Sequence, residues 1–250
     1  MAPITLEEMD SIKLMNRIDS KYVTNEATLE RMLDAAAEAG YRVLVSGGER
    51  MSPYDSIYYD TADLTMFYLH HNRRLVRQKV RTRCYVNSGD AFLEIKRKNN
   101  HGRTSKKRIA IPGDHMMDFG ALPEACAYLA RHSWFQAQEL TPSAETAFSR
   151  ITLVNPSLTE RLTIDTKLRF KNFRTGHSAD MQDAVIIELK QDGRAASQMK
   201  GILLDLRIKP LRVSKYCMAI TLTDPVAKTG RFKVKVRTIE KIIGNQLATI

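Results

Sequence analysis

The chain has 250 residues, 43% of them hydrophobic, so it can bury a large core, and we start from a single domain over residues 1–250. Its 39 Lys and Arg residues exceed its 28 Asp and Glu residues, and the formal net charge of +11 indicates an anionic partner. Three widely spaced cysteines without C-x-x-C spacing argue against a disulfide framework or a structural zinc site and favour a reducing, cytoplasmic setting. No apolar run approaches the roughly 18 to 20 residues that span a bilayer, so we expect no transmembrane helix.

Two helices are predicted in the first 40 residues. Thr5 and Glu8 have the spacing of a capping box, which predicts a short helix that reaches Asn16. Apolar residues at intervals of three and four predict a second helix that begins near Asn25 and ends at Gly40. We expect this second helix to pack on the outside of a sheet.

From residue 41 onward the hydrophobic period changes to two, which predicts antiparallel β-strands. The predicted strands are Arg42–Val45, Ser56–Tyr59, Leu75–Val86, Ala91–Lys98, Ser105–Ile111, Leu158–Phe170, Ala184–Lys190 and Arg231–Arg237. Met116–Trp134 lacks this alternation and has Pro123 at a suitable helix start, so helical turns are predicted there. The fold class is therefore α+β.

One strand carries an unusual density of cations on a single face. Successive side chains of a strand point to opposite sides, so the stretch from Arg73 to Val86 divides by parity into two sets. The odd-numbered set is Arg73, Leu75, Arg77, Lys79, Arg81, Arg83 and Tyr85. The even-numbered set is largely apolar. Like charges at this spacing repel one another, so a solvated ladder of cations gains nothing from the crowding.

The other strands also have a charged face opposite an apolar face, with Arg161, Asp165, Lys167 and Arg169 on the charged side of Leu158–Phe170. Glu94, Asp165 and Glu188 are the carboxylates on these charged faces. If the sheet closes, its apolar faces lie under the helices and its charged faces line a wet channel. We therefore expect a closed antiparallel β-barrel tunnel of about eight strands with flanking α-helices. The inward carboxylates suit either simple salt bridges or a site that holds phosphate and a hard cation.

Eight short strings together resemble a known family. They are R-I-D-S-K-Y (Arg17–Tyr22), Y-Y-D-T (Tyr58–Thr61), K-V-R-T-R-C-Y (Lys79–Tyr85), F-L-E-I-K (Phe92–Lys96), S-K-K-R (Ser105–Arg108), R-L-T-I-D (Arg161–Asp165), I-E-L-K (Ile187–Lys190) and V-S-K-Y (Val213–Tyr216). In order and spacing the chain resembles the VTC (vacuolar transporter chaperone) polyphosphate-polymerase domain of the triphosphate tunnel metalloenzyme superfamily. The resemblance covers about residues 10–220 and leaves residues 224–250 as a basic C-terminal extension.

The resemblance implies an ATP-dependent polyphosphate polymerase that uses manganese or magnesium. By position it implies that Lys96, Arg81, Arg83 and Glu188 take part in catalysis and that Glu188 and Glu94 lie at the metal. The residues implied to bind ATP or phosphate are Lys21, Arg81, Arg83, Lys96, Lys106, Arg108, Arg150, Arg161, Lys190, Arg212, Ser214 and Lys215. The implied partners are ATP and polyphosphate or triphosphate.

Two other functions stay open at this point. The same residues with water as the acceptor make a tripolyphosphatase or nucleoside triphosphatase, and a basic surface with aromatic residues suits a non-enzymatic polyphosphate or nucleic-acid binder. Nucleic acid is disfavoured because carboxylates interleave with the cations. A cytoplasmic location is expected, and the resemblance suggests a separate membrane protein partner at the cytoplasmic face of a membrane. The oligomeric state stays open.

Overall fold

The computed structural model describes residues 1–10, 17–193 and 195–247. In these ranges the helices are α1 (Leu6–Asp10), α2 (Glu26–Glu38), α3 (Thr65–His71), α4 (Pro123–His132), α5 (Gln198–Asp205), α6 (Lys215–Thr223) and α7 (Lys233–Ile243). The strands are β1 (Pro3–Ile4), β2 (Arg17–Asn25), β3 (Arg42–Leu44), β4 (Ser52–Asp60), β5 (Arg77–Tyr85), β6 (Asp90–Lys98), β7 (Thr104–Ile111), β8 (Thr141–Val154), β9 (Glu160–Asn172), β10 (Ser178–Asp180) and β11 (Ala184–Asp192). Short 3₁₀ turns lie at Gly113–Met116, Phe119–Ala121 and Ala137–Glu139.

The strands form one large sheet, which confirms the predicted α+β class. Its main path runs β2-β11-β9-β8-β4-β5-β6-β7, and neighbouring strands on this path are antiparallel. β1, β3 and β10 lie off the path, and β1 pairs with β3 in parallel. Eight strands on the path match the predicted number. Pairing between the two end strands β2 and β7 is not found in the described ranges, so the expected closure into a barrel is not confirmed.

Helices cover the apolar face of the sheet at two places. α2 and α5 pack through Met32 and Leu203 against Val185, Ile187 and Leu189 of β11. α4 packs through Leu129 against residues of β4, β5 and β6 that include Ile57, Val80 and Leu93. The predicted arrangement, in which apolar faces lie under flanking helices, is therefore confirmed for these strands.

α6 packs on the other face of the sheet, beside the charged residues. Every residue of α6 after Lys215 is buried, and the helix lies against Tyr58, Phe148 and Ile186. By strand parity Ile186 shares a face with Glu188, and Tyr58 lies opposite Arg81 on the neighbouring strand. α6 therefore covers one half of this face and leaves the half that carries the charges uncovered.

The predicted helices agree with the structure in most respects. Thr5 and Glu8 exchange the two hydrogen bonds of a capping box at 2.8 and 3.2 Å, and α1 begins at Leu6. Residues 11–16, where this helix was predicted to continue, lie outside the described residues. α2 has Asn25 as its N-cap, and Gly40 follows it with a φ of +77°, the left-handed conformation that glycine adopts without strain. Helical turns between Met116 and Trp134 are confirmed by α4 and the 3₁₀ turns before it.

Two long strands were not predicted, and one predicted strand is wrong. β2 and β8 are rich in small and polar residues, and Pro142 interrupts the start of β8, so neither shows a strong apolar alternation. Arg231–Arg237 was predicted as a strand from the alternation K-V-K-V, but it lies mostly in α7. The helix forms because Phe232, Val236 and Ile239 recur at four and three and bury one face.

A bulge in β9 reverses the predicted faces of its second half. Ser149 of β8 pairs with Thr166, whereas Ala147 pairs with Arg169, so β9 holds an extra residue between these pairs. Lys167 at this point has a φ of +53°. One extra residue moves every following side chain to the opposite face. Arg169 was predicted beside Asp165 together with Lys167, and for Arg169 that placement is wrong.

The reversal puts apolar residues of β9 beneath α6 and moves the cations to the other side. Leu168 and Phe170 belong to the core that contains α6. Arg169 instead lines an open surface depression of about 520 Å³ with Asp55, Glu145 and Asp180. The charged half of the sheet face therefore ends at Asp165 on this strand. No helix among the described residues is long and apolar enough to cross a membrane.

Candidate functional site

The charged half of the sheet face, which we call the basic face, gathers cations from seven strands of the main path. Cross-strand pairs place Lys21 opposite Glu188, and Arg81 opposite Glu94. The cations of the basic face on these strands are Lys21, Lys79, Arg81, Arg83, Lys96, Lys106, Arg108, Arg150, Arg161 and Lys190. Lys215, the first residue of α6, adds a further cation at its edge.

The sheet is strongly curved about this face. Five steps of the sheet path separate β11 from β6, which in a flat sheet is about 24 Å. The Glu188 carboxylate on β11 nevertheless acts on the charge of Lys96 on β6, as does the Lys21 ammonium on β2. Val23 of β2, Ile186 of β11 and Tyr58 of β4 also pack in one core with α6, so the sheet curves around a concave surface.

Glu94 is the first of three carboxylates on the basic face and is almost fully buried, at 2% exposure. Arg81 donates to its Oε2 from Nε at 2.8 Å and from Nη2 at 2.5 Å. Lys106 forms an ion pair with Oε1, and Nε of Arg83 lies 4.0 Å from Oε2. Burial alone would raise the pKa of Glu94, but these three cations outweigh it and lower the pKa to about 2. Glu94 is therefore ionised at all physiological pH values.

Asp165 is the second carboxylate and joins the sheet to α6. Arg150 donates to its two oxygens from Nε at 2.6 Å and from Nη2 at 2.8 Å, a bidentate pair. Lys215 forms an ion pair with the same carboxylate from the first turn of α6. Burial lowers the pKa of Lys215 to about 8, and the charges of Arg150 and Lys21 add to the lowering, which the contact with Asp165 only partly offsets.

Glu188 is the third carboxylate and is the most exposed of the three. Lys21 donates to its Oε1 at 2.6 Å, and Nζ of Lys190 lies 3.4 Å from Oε2. Burial alone would raise the pKa of Glu188, but Lys190, Lys21 and Lys96 hold it well below its usual range. Part of the Lys96 side chain is exposed to solvent. Partial burial of its ammonium group lowers the pKa of Lys96, and the charges of Lys79 and Lys21 lower it further. Lys96 therefore faces the open part of the concave surface.

The first turn of α6 is fixed to the basic face by two polar anchors. Ser214 caps the helix by accepting the backbone N–H of Cys217, and its Oγ also accepts a hydrogen bond from Nζ of Lys79 at 2.6 Å. In the same turn, the Tyr216 hydroxyl donates to the buried carboxylate of Asp60 at 2.5 Å. The strings V-S-K-Y and Y-Y-D-T, which are far apart in the sequence, are thereby joined through one hydrogen bond.

Tyr58 lies between the cations of the basic face and α6. Its hydroxyl accepts a hydrogen bond from Nη1 of Arg81 at 2.8 Å, and its ring stacks on that of Tyr216 with 5.0 Å between centroids. Burial alone would raise the pKa of Tyr58, but Arg81, Lys79, Arg83 and Lys215 lower it to about 7. Tyr58 is thus a titratable group of the basic face near neutral pH.

The structure brings most of the predicted site residues together. Those on the basic face or at its edge are Lys21, Arg81, Arg83, Glu94, Lys96, Lys106, Arg108, Arg150, Arg161, Glu188, Lys190, Ser214 and Lys215. Arg108 lies opposite Glu94 but is exposed, with its guanidinium 4.6 Å from the centre of the Phe92 ring. Arg212 lies beyond these residues, where its backbone carbonyl accepts a hydrogen bond from Lys235 and its charge acts on Lys98 and Lys235.

Lys79, Asp165 and Tyr58 are residues of the basic face that the predicted site did not include. Lys79 and Asp165 already stood on the charged faces that strand parity identified, and Tyr58 stands in the Y-Y-D-T string. Parity was therefore the signal that could have found the first two. The low pKa of Tyr58 depends on cations from two separate segments, β5 and α6, and has no signal in the sequence.

The donor chemistry of the basic face is compatible with a divalent ion held jointly with phosphate. A group of three or more His, Cys, Asp or Glu side chains that could hold a metal alone is not found among the described residues. Mg²⁺ is commonly bound by one or two carboxylates together with substrate phosphates, and both are hard oxygen donors. Glu188 fits this role best, because it is ionised and more exposed than Glu94 or Asp165.

Comparisons with known proteins identify the family. Among solved structures, the chain is similar to a putative adenylate cyclase from Vibrio parahaemolyticus, with 11% identity, 82% of this chain and 99% of that chain covered, and a TM-score of 0.48. It is also similar to the putative adenylyl cyclase HpAC1 from Hippeastrum, described as having a dominant triphosphatase activity, with 15% identity, 81% and 94% covered, and a TM-score of 0.48. No curated protein matches the chain. The VTC domain model matches residues 16–223, most of the sequence, and the chain therefore belongs to the VTC domain family.

Proposed function

We propose that this chain is a polyphosphate polymerase that transfers the γ-phosphate of ATP to a growing polyphosphate on the basic face. The observation that supports this most is the surplus of cations around three buried or half-buried carboxylates. Each carboxylate already contacts two or more cations, and Lys79 and Lys96 remain without a carboxylate contact among the described residues. A polyanion that enters this face would neutralise the surplus.

The proposed chemistry needs positioning and charge neutralisation more than acid or base catalysis. Phosphoryl transfer proceeds with negative charge spread over the transferred group, and fixed cations stabilise that charge. Arg81 and Arg83 are held in place by Glu94 and Ser56, so their guanidinium groups are oriented before substrate arrives. We assign Arg81, Arg83 and Lys96 to the transferred phosphate. The terminal phosphate of the acceptor chain is already an adequate nucleophile.

We assign the proposed manganese or magnesium ion to Glu188, with Glu94 as a second carboxylate of the same face. When bound, such an ion would neutralise charge on the β- and γ-phosphates of ATP. Phosphate would compete with Glu188 for Lys21 and Lys190, which are its present partners. Loss of these ion pairs would leave the carboxylate free to contact the ion.

The proposed polymerase activity also has consequences for the path of the product, the location of the protein and its partner. A growing chain needs a continuous path, so we propose that the curved sheet acts as a tunnel and that the product leaves along it. ATP as the donor is consistent with a cytoplasmic location. A separate membrane protein that takes up the product is the proposed partner.

The test is turnover of ATP by the purified protein with Mn²⁺, with polyphosphate separated on a gel and free phosphate measured in parallel. We expect a ladder of long anionic chains. Lys96→Ala and Glu188→Ala should each abolish the ladder, because one removes a phosphate contact and the other the metal carboxylate. Lys107→Ala is the matched control, since Lys107 is exposed, adjacent to Lys106 and paired with Ile95 on the opposite face of the sheet.

The same experiment separates polymerisation from hydrolysis. A triphosphatase would use the same cations with water as the acceptor and would release free phosphate without a ladder. That result would contradict the proposed polymerase and assign the chain to hydrolysis. Binding of polyphosphate without turnover under either Mn²⁺ or Mg²⁺ would contradict both enzymatic functions.

A further inference from the structure

A second group of cations, which we call the outer cluster, lies beyond the basic face and consists of Arg73, Arg77, Lys98, Arg212 and Lys235. Arg77 and Lys98 are paired at the end of the β5-β6 ladder. They follow the pair Lys79 and Lys96 at an interval of two residues, so all four side chains lie on the same face of the sheet. The outer cluster is therefore continuous with the basic face.

The rest of the outer cluster comes from loops and α7. Lys235 of α7 donates from Nζ to the backbone carbonyl of Arg212 at 2.6 Å, which fixes α7 to the segment before α6. Burial lowers the pKa of Lys98, and Arg77 and Arg212 add to the lowering. Burial also lowers the pKa of Lys235, and the Arg73 and Arg212 charges add to it. Nη1 of Arg77 donates to the backbone carbonyl of Arg74, the residue after Arg73, at 2.7 Å. The two hydrogen bonds and the β5-β6 pair therefore bring these segments together, in agreement with the charge effects.

The outer cluster differs from the basic face in its lack of carboxylates. In the part of the chain that the structure describes, no salt bridge joins any of its five cations to an Asp or Glu. Like charges gathered without a counter-charge repel one another and reduce the stability of the fold. Such an arrangement is typical of a surface whose counter-charge is supplied by a ligand.

We propose that the outer cluster is a second anion subsite that holds the distal phosphates of a linear polyphosphate whose terminal phosphate lies on the basic face. The choice of polyphosphate as the ligand rests on the proposed function, whereas the existence of the outer cluster rests on the structure alone. Two residues of a strand advance about 6.6 Å, so successive cation pairs offer repeated contacts to a flexible chain with one charge per phosphate. α7 lies beyond residues 16–223, so Lys235 is a contribution from outside the part matched by the family model.

Phosphates on a lipid surface are the other source of the same chemistry. Arg77, Lys98 and Lys235 are half-buried, and Arg77 and Lys98 continue the rows of the concave face, whereas Arg73 and Arg212 are exposed. A flat bilayer contacts protruding side chains, whereas a narrow chain of phosphates can enter a recess. The observations therefore favour the linear polyphosphate.

The experiment measures equilibrium binding of two inorganic ligands, tripolyphosphate and a long-chain polyphosphate, in the presence of EDTA, so that neither turnover nor metal contributes. The variants are Lys98→Ala and Lys235→Ala. Lys233→Ala and Lys241→Ala are matched controls, because each removes one exposed cation from α7. Thermal unfolding monitors whether each variant keeps its fold.

We expect Lys98→Ala and Lys235→Ala each to weaken binding of the long chain by about tenfold, as for loss of one charge-assisted contact. Binding of tripolyphosphate, which is too short to occupy both groups of cations, should change by less than about twofold. The controls should leave both affinities unchanged. Equal losses for both ligands, or no loss for either, would overturn the proposal.

A third arm uses vesicles of anionic phospholipid. If the two variants lose vesicle binding and keep full affinity for the long chain, the cluster binds lipid and the proposal is wrong. Failure of the proposed function is distinguishable, because a chain without polymerase activity can still show the difference between long and short ligands. Conversely, an active polymerase with equal losses for both ligands would contradict only the second subsite.

Discussion

Nζ of Lys79 on β5 lies 2.6 Å from Oγ of Ser214, the N-cap of α6. The same oxygen accepts the backbone N–H of Cys217, so one hydroxyl both begins the helix and orients a cation of the basic face. The position of α6 and the position of Lys79 are therefore coupled. Loss of the hydroxyl should affect both stability and phosphate binding.

Ser214→Ala tests this coupling. We expect the free energy of unfolding to fall by about 1 kcal/mol, which is typical for loss of an N-cap side chain. Affinity for tripolyphosphate should also fall, because Lys79 loses the group that orients it. Ser197→Ala is the matched control, since Ser197 caps α5 and also contacts Glu160, away from the basic face. It should lower stability and leave affinity unchanged, and an equal effect of both variants on affinity would contradict the coupling.

The sequence predicted much of this site because strand parity is a local property. Arg81, Arg83, Lys96 and Glu188 were placed on one side of the sheet by counting in twos, and the structure has them there. The prediction of strand faces by parity failed where a β-bulge interrupts the two-residue alternation of the strand. The bulge at Lys167 sends Arg169 to the opposite face, and single residues that cause bulges leave no clear pattern in the sequence.

Other parts of the site depend on contacts between distant segments. The buried pair of Asp60 and Tyr216 joins β4 to α6 across 156 positions, and periodicity carries no information about such pairs. Arg231–Arg237 was predicted as a strand because seven residues alternate, whereas the helical period of α7 becomes apparent only over the longer stretch to Ile243. Local patterns therefore gave the faces of most strands and the helices α2 and α4, whereas α6 and α7 required the structure.

Glu188→Gln should separate the role of this residue in metal binding from its role in ion pairs. The substitution keeps the shape of the side chain and removes the negative charge that contacts Lys21 and Lys190. We expect tripolyphosphate to bind more tightly in EDTA, because two cations become available to it. Stimulation of turnover by Mn²⁺ should be lost. Glu145→Gln, which removes one charge on the opposite face, is the control and should change neither quantity.

Asp165→Asn should destabilise the fold strongly at neutral pH. It would leave Arg150 and Lys215 buried without a carboxylate, and breaking one partner of a buried pair costs about 3–5 kcal/mol. Arg150 and Lys215 hold the pKa of Asp165 well below its usual range despite burial, which alone would raise it. The stability that the carboxylate contributes is therefore present above its unfolded-state pKa of about 4 and is lost as pH falls below that value.

Urea unfolding of both proteins at several pH values measures this effect. The difference in unfolding free energy between wild type and Asp165→Asn should be constant from about pH 7 to 5 and should shrink below about pH 4. A difference that stays the same down to the most acid condition at which both proteins fold would contradict the assigned ionisation. The prediction is independent of any enzymatic activity.

Tyr58 should titrate near neutral pH, where no ordinary tyrosine does. The four surrounding cations outweigh burial and lower its pKa to about 7, so ultraviolet absorbance of tyrosinate should rise with a midpoint near this pH. Tyr58→Phe should remove this transition. Tyr59→Phe should leave it in place, because burial raises the pKa of Tyr59, whose hydroxyl donates to the carbonyl of Met116.

The same titration should be linked to both folding and binding. The unfolded chain keeps its tyrosine proton until about pH 10, so between pH 7 and 10 wild type should gain stability relative to Tyr58→Phe as pH rises. Bound tripolyphosphate adds negative charge beside Tyr58 and should raise the absorbance midpoint, and by reciprocity its affinity for wild type should fall as pH rises through 7. Tyr58→Phe should lose this part of the pH dependence. If the absorbance midpoint does not move when tripolyphosphate binds, the ligand lies away from Tyr58. The phosphate site would then not include Arg81 and Lys79, the cations beside Tyr58.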